Sequence, residues 1–230
     1  APDATYLRLN PMVQFRIREK DFRDNRKQLF LFRQVIVNRE ASEYITDNSE
    51  PNYSIFNARY SNSKTELINH FSFMTDLQFA GGFGKVSGEI EYRRLFQNNR
   101  KINLRLFAGS FVYNKTNSDY FSFGLDRPTD YLFDYNLFGR SETTGFFSQQ
   151  YVIAEGGFKS QLEPAFANQW MTTLNASYAV WNWIELYGDI GFLKNKHQKE
   201  YFAYDTGVRL NLVPDYFELY FPVYSNNGWE

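Results

Sequence analysis

The chain has 230 residues, and 25 Lys and Arg against 26 Asp and Glu give it a formal net charge of −1. This balance excludes the basic surplus of a nucleic-acid-binding protein and the acidic tail of a charged linker. The absence of cysteine excludes a disulfide scaffold and thiolate metal sites. Mean hydropathy is −0.53 and no run of about 20 apolar residues occurs, which excludes a helical membrane protein.

Strands are predicted wherever apolar and polar side chains alternate with a period of two. The first such stretch sets Leu7, Leu9, Val13, Phe15 and Ile17 against Arg8, Asn10, Gln14, Arg16 and Arg18. The pattern returns in segments 69–79, 85–93, 101–113, 170–180, 184–192, 204–212 and 217–224. Weaker strand candidates are 27–38, 51–61, 119–125 and 146–158. In 27–38 the apolar run 29–32 breaks the alternation, and Arg33 falls among the outward positions in one register.

Connections of two lengths separate these segments. Residues 80–84, 97–100 and 181–182 have the composition of tight turns. Residues 40–50, 61–68, 114–119 and 194–200 are polar and longer. Short turns on one side and longer loops on the other are typical of an outer-membrane barrel. The sequence therefore predicts an all-β fold, an antiparallel transmembrane (outer-membrane) β-barrel of roughly 10–12 strands, with residues 1–230 as a single domain.

Alternation alone does not say which face points inward, so a soluble β-sandwich or a lipocalin-like barrel is the competing interpretation. The apolar faces carry almost no charge, and one Arg or Lys at a bilayer midplane costs about 2–4 kcal/mol. The polar faces mix both charge signs with Tyr and Gly, which favours a hydrated lumen crossed by ion pairs. The predicted lumen charge network comprises Arg8, Arg16, Glu89, Glu91, Arg105, Asp189, Asp205, Arg209 and Glu218.

Residues 125–145 interrupt the strand rhythm with a dense polar and aromatic stretch. One interpretation is a long loop that folds over or into the barrel or docks a partner domain, since loops of this length are usually functional or disordered and this one is too aromatic for disorder. Its charged residues would then form an ion-pair cluster of Asp126, Arg127, Asp130, Asp134 and Arg140. The other interpretation is an ordinary strand pair with a long turn.

Sites for chemistry are nearly absent from the sequence. The two histidines, His70 and His197, are far apart, and neither belongs to an H-E-x-x-H motif. No nucleophile elbow, P-loop or dinucleotide fingerprint occurs. We therefore expect no catalytic residue, no metal ligand and no cofactor-binding residue within this chain.

Several segments resemble the C-terminal region of large outer-membrane metallopeptidases of Bacteroidetes bacteria, which are similar to M1-type (gluzincin) aminopeptidases. These segments are SFGLDRPTDY at 122–131, FGRSE at 138–142, AEGGFK at 154–159, ANQW at 167–170 and, most specifically, PDYFELYFPVYSNNGWE at 214–230. The resemblance implies that a zinc domain precedes this region, so these residues would be the C-terminal part of a longer protein. It also implies one further strand after residue 230, so the barrel would lack its last strand here.

The expected function is an outer-membrane β-barrel that anchors a zinc metallopeptidase lying outside these residues. Its partners would be outer-membrane lipid and its own N-terminal peptidase domain or other envelope proteins, and zinc would belong to the upstream domain. The alternative is a stand-alone structural barrel, a small pore or a subunit of an envelope complex without enzymatic activity. A third interpretation is a soluble β-sandwich that binds a partner.

Overall fold

The computed structural model describes residues 6–19, 21, 23–39, 52–116, 119–135, 149, 152–213 and 217–230. These residues contain fourteen strands: β1 Tyr6–Leu9, β2 Met12–Ile17, β3 Arg26–Arg39, β4 Tyr53–Thr65, β5 Asn69–Ala80, β6 Phe83–Leu95, β7 Lys101–Asn114, β8 Phe123–Gly124, β9 Phe166–Ala167, β10 Trp170–Ala179, β11 Ile184–Lys194, β12 Tyr201–Val213, β13 Phe217–Ser225 and β14 Gly228–Trp229. Two single turns of 3₁₀ helix cover Gln97–Asn99 and Asp119–Phe121.

Twelve of the strands form one antiparallel sheet in the order β1-β3-β4-β5-β6-β7-β10-β11-β12-β13-β14, with β2 also paired to β3. The predicted all-β, antiparallel fold with many strands is confirmed. In the described residues no strand pair joins β1 or β2 to β13 or β14, so the sheet pairing by itself does not establish a closed barrel.

The two faces of the sheet differ as the alternation predicts. One row of direct cross-strand partners on the outward face is Ile90, Leu106, Leu174 and Ile190, and all four side chains are exposed. The positions between them point to the opposite face, where Glu185 and Asp189 of β11 are buried. The period of two therefore separates an exposed apolar face from a covered polar one.

Antiparallel pairing divides the connections between the two ends of the sheet. At one end, called here the short-turn end, strands β4–β5, β6–β7, β10–β11 and β12–β13 are joined by residues 66–68, 96–100, 180–183 and 214–216. At the other end the connections are 40–52, 81–82, 115–169 and 195–200. The predicted separation by length holds in part. Residues 61–68 were expected to form a longer loop, but β4 continues to Thr65 and only 66–68 form the turn. The tight turn at 81–82 lies at the end with the long connections.

The connection between β7 and β10 covers the inward face of the sheet. We call its described residues 119–135 and 152–168 the strap. Apolar strap residues fill two cores against the sheet, one with β3, β4 and β6 and the other with β7, β10, β11 and β12. The strap side chains in these cores are Phe121, Phe123, Leu125, Tyr131, Leu132, Phe158, Leu162 and Ala167. The folded-over loop is therefore the interpretation of 125–145 that its described part supports.

The strap also accounts for the weak strand candidates. Both faces of β3 are apolar near its centre because Leu31 is buried on the inward face while Phe30 and Phe32 lie on the outward face; Val35, further along β3, packs under the strap. The strands expected at 119–125 and 146–158 are wrong for the described residues, which contribute only the two-residue β8. Their apolar residues contact the sheet from above and do not extend it.

Candidate functional site

A cluster of charges joins the strap to the sheet, and we call it the polar clasp. Arg33 on β3 donates two hydrogen bonds to Asp134 of the strap, at 2.5 and 2.9 Å. Arg59 on β4 donates to Asp134 at 3.2 Å and to Asp76 on β5 at 2.8 Å. Asn57 accepts a hydrogen bond from Arg33 at 2.8 Å and donates to Asp76 at 2.9 Å. Two cations thus meet two carboxylates, so the charges balance where Arg33 and Asp76 are buried and Arg59 and Asp134 are partly exposed.

A buried lysine lies beside the clasp. The Lys85 side chain is 1% exposed, and its Nζ donates to the carbonyl of Phe121 at 3.1 Å and lies 3.7 Å from Glu155 Oε1. The same ammonium lies 4.2 Å from the ring centre of Phe123. Glu155 in turn accepts a hydrogen bond from the backbone N–H of Gly124 at 2.7 Å. Lys85 of the sheet therefore contacts three residues of the strap: Phe121, Phe123 and Glu155.

A second group of charges crosses the inward face from β6 to β11. Arg105 is paired with Glu89 and donates to Asn175 at 2.9 Å. Asn175 donates to Asp189 at 2.9 Å, and Asp189 pairs at 2.7 Å with Lys159 of the strap. This chain of contacts makes the strap part of the charge network of the sheet.

A third group lies closer to the short-turn end. Glu185 accepts from Lys101 at 3.0 Å and is also paired with Arg209. Arg209 donates to Glu218 and to the Tyr220 hydroxyl at 3.2 and 3.1 Å. Both groups bring charges of opposite sign into direct contact, as buried charges require.

The structure places the residues of the predicted lumen network at several positions. Glu89, Arg105, Asp189, Arg209 and Glu218 lie in the groups just described. Asp205 accepts the backbone N–H groups of Lys159 and Ser160 at 2.7 and 2.9 Å, and Glu91 accepts from Ser72 at 3.4 Å. Arg8 and Arg16 are not brought to these groups: Arg8 lies 4.5 Å from the ring centre of Phe133, and Arg16 donates to Gln14 at 3.1 Å.

The four described members of the predicted strap cluster do not gather at one point. Asp126 accepts the backbone N–H of Leu162 at 3.0 Å and lies 3.5 Å from Arg127, which pairs with Glu163 at 2.9 Å. Asp130 accepts the backbone N–H groups of Asp134 and Tyr135 at 2.7 and 3.2 Å. Among the described members only Asp134 reaches the sheet by an ion pair, and Arg140 lies outside the described residues.

Sequence reasoning did not select Arg33, Arg59, Asp76, Lys85 or Glu185 as site residues. The signal for one pair was present, because Arg59 and Asp76 are direct partners in the β4–β5 ladder and both occupy inward positions. Arg33 had no local signal, since its partner lies in a distant segment without strand periodicity.

Burial and neighbouring charges shift the pKa values of several strap residues. Burial raises the pKa of Asp134, but hydrogen bonds from Arg33 and the positive charges of Arg59 and Arg33 outweigh it, so its pKa lies below the ordinary value. Burial raises the pKa of Asp130. Burial also holds the pKa of the Tyr131 hydroxyl well above its ordinary value. The clasp therefore holds Asp134 in the charged form that its arginine partners need.

A cavity of about 810 Å³ lies between the strap and the strands at the short-turn end. Its lining mixes both charge signs with aromatic rings and includes Lys101, Arg105, Lys159, Asp189, Glu218 and Tyr220. Each of the five named ions is engaged in an ion pair with a neighbour.

Comparisons with protein-family models, with curated proteins and with solved structures gave no match. In the part of the chain that the structure describes, no group of three or more His, Cys, Asp or Glu residues is placed to hold a metal ion. The same residues include no helix with the length and apolar character to cross a membrane.

Proposed function

We propose that the chain is an outer-membrane β-barrel domain whose interior is filled by the strap. The observation that carries this proposal is the outward face of the sheet, where apolar side chains such as Phe32, Phe56, Leu106 and Ile190 are exposed on strand after strand. In the described strands the charged residues on this face lie at the strand ends, as the cost of about 2–4 kcal/mol at a bilayer midplane demands. Large exposed apolar surfaces on soluble proteins mark interaction sites. Lipid is the partner that would cover such a face on every strand of the sheet.

The dimensions and directions of the strands support a closed, membrane-spanning arrangement. Strands β3 to β7 contain 12–14 residues, enough for the roughly 9–11 residues that a tilted strand needs to cross a bilayer. Neighbouring strands of the sheet run in opposite directions, and eight strands lie between β2 and β13. These two edge strands therefore also run in opposite directions. Antiparallel closure between them is therefore compatible with the topology.

The filled interior favours an anchoring or structural role over an open pore. The strap buries Phe123, Phe158 and Leu162 completely against the sheet, and the polar clasp fixes it to β3 and β4. A narrow barrel is usually filled with side chains in this way. A pore would require the strap to leave.

The second part of the proposal is that this barrel anchors a zinc metallopeptidase domain outside these residues. Its support is the resemblance of 122–131, 154–159 and 214–230 to the C-terminal region of M1-like peptidases of Bacteroidetes. The domain would be held at the bacterial outer membrane near incoming peptides. A stand-alone barrel without enzymatic activity is the alternative.

Two measurements test the two parts separately. Outer membranes are first washed with carbonate and with high salt, and a protein that washes off contradicts the barrel. The denatured mass of the native protein is then measured from the same membranes. A mass far above 27.3 kDa supports an attached domain, whereas a mass near 27.3 kDa removes the peptidase from the proposal.

A further inference from the structure

Positive charges on the outward face are concentrated at the short-turn end. Outward positions at the ends of β3, β4 and β6, and just before β7, are Arg26, Lys64, Arg94 and Arg100, and we call these four residues the basic rim. They share a face with the exposed apolar side chains, since Arg94 directly opposes Ile102 and follows Ile90 and Tyr92 at spacings of two. At the opposite end the one such cation in the described strands is Lys194, which is paired with Glu200.

The rim differs along its length. Arg26 pairs with Glu19, and Lys64 pairs with Glu66, so those two cations are balanced within the chain. Arg94 and Arg100 make no ion pair with a carboxylate among the described residues. The turn that carries them, 93–101, reads RRLFQNNRK and contains four cations and no acid.

Large apolar side chains surround these two arginines. Leu95 and Phe96 are exposed at the tip of the same turn, and the Arg94 guanidinium lies 5.5 Å from the ring centre of Phe96. The neighbouring turn exposes Trp181 and Trp183. It lies beside 93–101 because Tyr178 on β10 opposes Ile102 on β7. Trp collects at membrane–water interfaces, and Arg lays its apolar stem along such a boundary while its charge reaches the polar side.

We propose that Arg94 and Arg100 bind the phosphate groups of anionic phospholipids at the short-turn end of the barrel. The inference rests on the proposed function, because it requires the outward face to meet lipid. Headgroup phosphate is the partner that this position selects: the arginines end an apolar face, lie beside interfacial aromatic rings and have no carboxylate partner in the described part of the chain. The short turns of outer-membrane barrels lie on the periplasmic side, so these lipids would belong to the inner leaflet.

The rim tryptophans provide the test. Replacing Trp170 and Trp229, which lie at the opposite end, by Phe leaves Trp181 and Trp183 as the only tryptophans of the 230 residues. The protein is folded into phosphatidylcholine vesicles in which a fixed minority of the lipid is brominated. The brominated lipid is either phosphatidylglycerol or phosphatidylcholine, and quenching of Trp fluorescence reports how often each lipid lies at the rim.

Brominated phosphatidylglycerol should quench more strongly than brominated phosphatidylcholine at equal mole fraction. Each basic residue near an anionic surface contributes about fivefold to lipid preference, so R94Q/R100Q should lower the preference about 25-fold or to none. The matched variant K115Q/K199Q removes two exposed cations at the opposite end and should leave the preference unchanged. Raising the salt concentration should weaken the preference of the unsubstituted rim, since exposed charges are screened.

The possible outcomes distinguish a failure of the phospholipid site from a failure of the proposed membrane function. Equal quenching by both brominated lipids before any rim substitution overturns the phospholipid site while leaving a membrane barrel in place. A preference that survives R94Q/R100Q also overturns it. Absence of quenching by either lipid overturns the proposed membrane function itself.

Discussion

Arg33 and Asp134 are separated by 101 positions in the chain and meet through two parallel hydrogen bonds. Such bidentate contact between a guanidinium and a carboxylate is roughly twice as strong as a neutral hydrogen bond and adds geometric specificity. The Arg33 side chain is 4% exposed while the strap is docked, so Asp134, and not water, compensates its charge. This pair links strap docking to the burial of a charge in the sheet.

Replacing Asp134 by Asn should loosen the strap. Arg33 and Arg59 would lose the carboxylate that compensates their charges, and losing a hydrogen bond to a buried charged group costs about 1.5–3 kcal/mol. Hydrogen exchange of residues 119–135 should accelerate by about tenfold or more, which corresponds to about 1.4 kcal/mol of lost protection.

The matched control for this variant is Glu163→Gln, which removes the exposed ion pair between Arg127 and Glu163 in the same strap and leaves Arg127 beside Asp126. Exposed pairs contribute about 0–1 kcal/mol, so exchange should change little. Unchanged protection of 119–135 in Asp134→Asn would show that the clasp does not hold the strap.

Acid should release the same segment. Because the folded pKa of Asp134 lies below its unfolded value of about 3.9, its ionisation stabilises the docked strap above that value. The contribution is lost as the pH falls through the lower, folded pKa. Protection of 119–135, corrected for intrinsic exchange, should therefore hold from pH 7 to about pH 5 and fall below about pH 4. Asp134→Asn should lack this acid step, and a loss of protection already near pH 6 would implicate another group.

The faces of the sheet were predictable because alternation is a local property. Ile90 and Leu174 each lie between polar neighbours on their own strand, and the period of two assigns their face without knowledge of the partners. The position of the strap was not predictable to the same degree. Its residues Phe121 and Phe158 are buried by contact with strands far away in the chain, so they produced false strand signals.

The residues of the candidate site divide in the same way: pairs on adjacent strands were predictable from the sequence, and pairs that involve the strap were not. Glu89 and Arg105 were selected because they occupy inward positions of adjacent strands, and the structure pairs them. Arg33 remained unexplained by the sequence because the apolar residues around it signal a core, whereas its partner Asp134 comes from the strap. Arg8 on β1 and Arg16 on β2 also occupy inward positions. Both strands lie at the edge of the sheet, where neighbouring strands exist on one side only.

Arginine substitutions at different depths should distinguish a lipid-facing surface from a water-facing one. Ile190→Arg places a charge in the central row of the outward face, where the expected cost is about 2–4 kcal/mol, and Phe217→Arg places it at a strand end, where the cost is about 0–1 kcal/mol. Leu186→Arg should fall between them. The measurement is the fraction of each variant that assembles into outer membranes and resists carbonate extraction.

The same three variants test the soluble interpretation. If the outward face met water, each exposed side chain would tolerate Arg within about 0.5 kcal/mol, because such surface substitutions rarely matter. Equal assembly of the Ile190 and Phe217 variants would therefore contradict a bilayer around this face.

Closure of the sheet predicts that β2 and β13 lie side by side. The chain has no cysteine, so two introduced cysteines are the only partners for a disulfide within these residues. One cysteine replaces Phe15, and the second replaces Phe217, Leu219 or Phe221 in turn, because strand stagger in a barrel shifts the register between opposite edges. At least one of the three pairs should form a disulfide under mild oxidation, which requires Cα atoms about 4.4–6.8 Å apart.

The control combines the cysteine at Phe15 with one at Ile190, which lies on a strand two places from β13 in the sheet order. That pair should remain reduced, since the intervening strands separate its Cα atoms by more than a disulfide spans. If the three edge pairs also remain reduced in the membrane-assembled protein, the two edges are not neighbours. The outward face would then belong to an open sheet, and the unpaired backbone groups of β2 and β13 would need partners other than each other, because a bilayer core offers no hydrogen bonds to a strand edge.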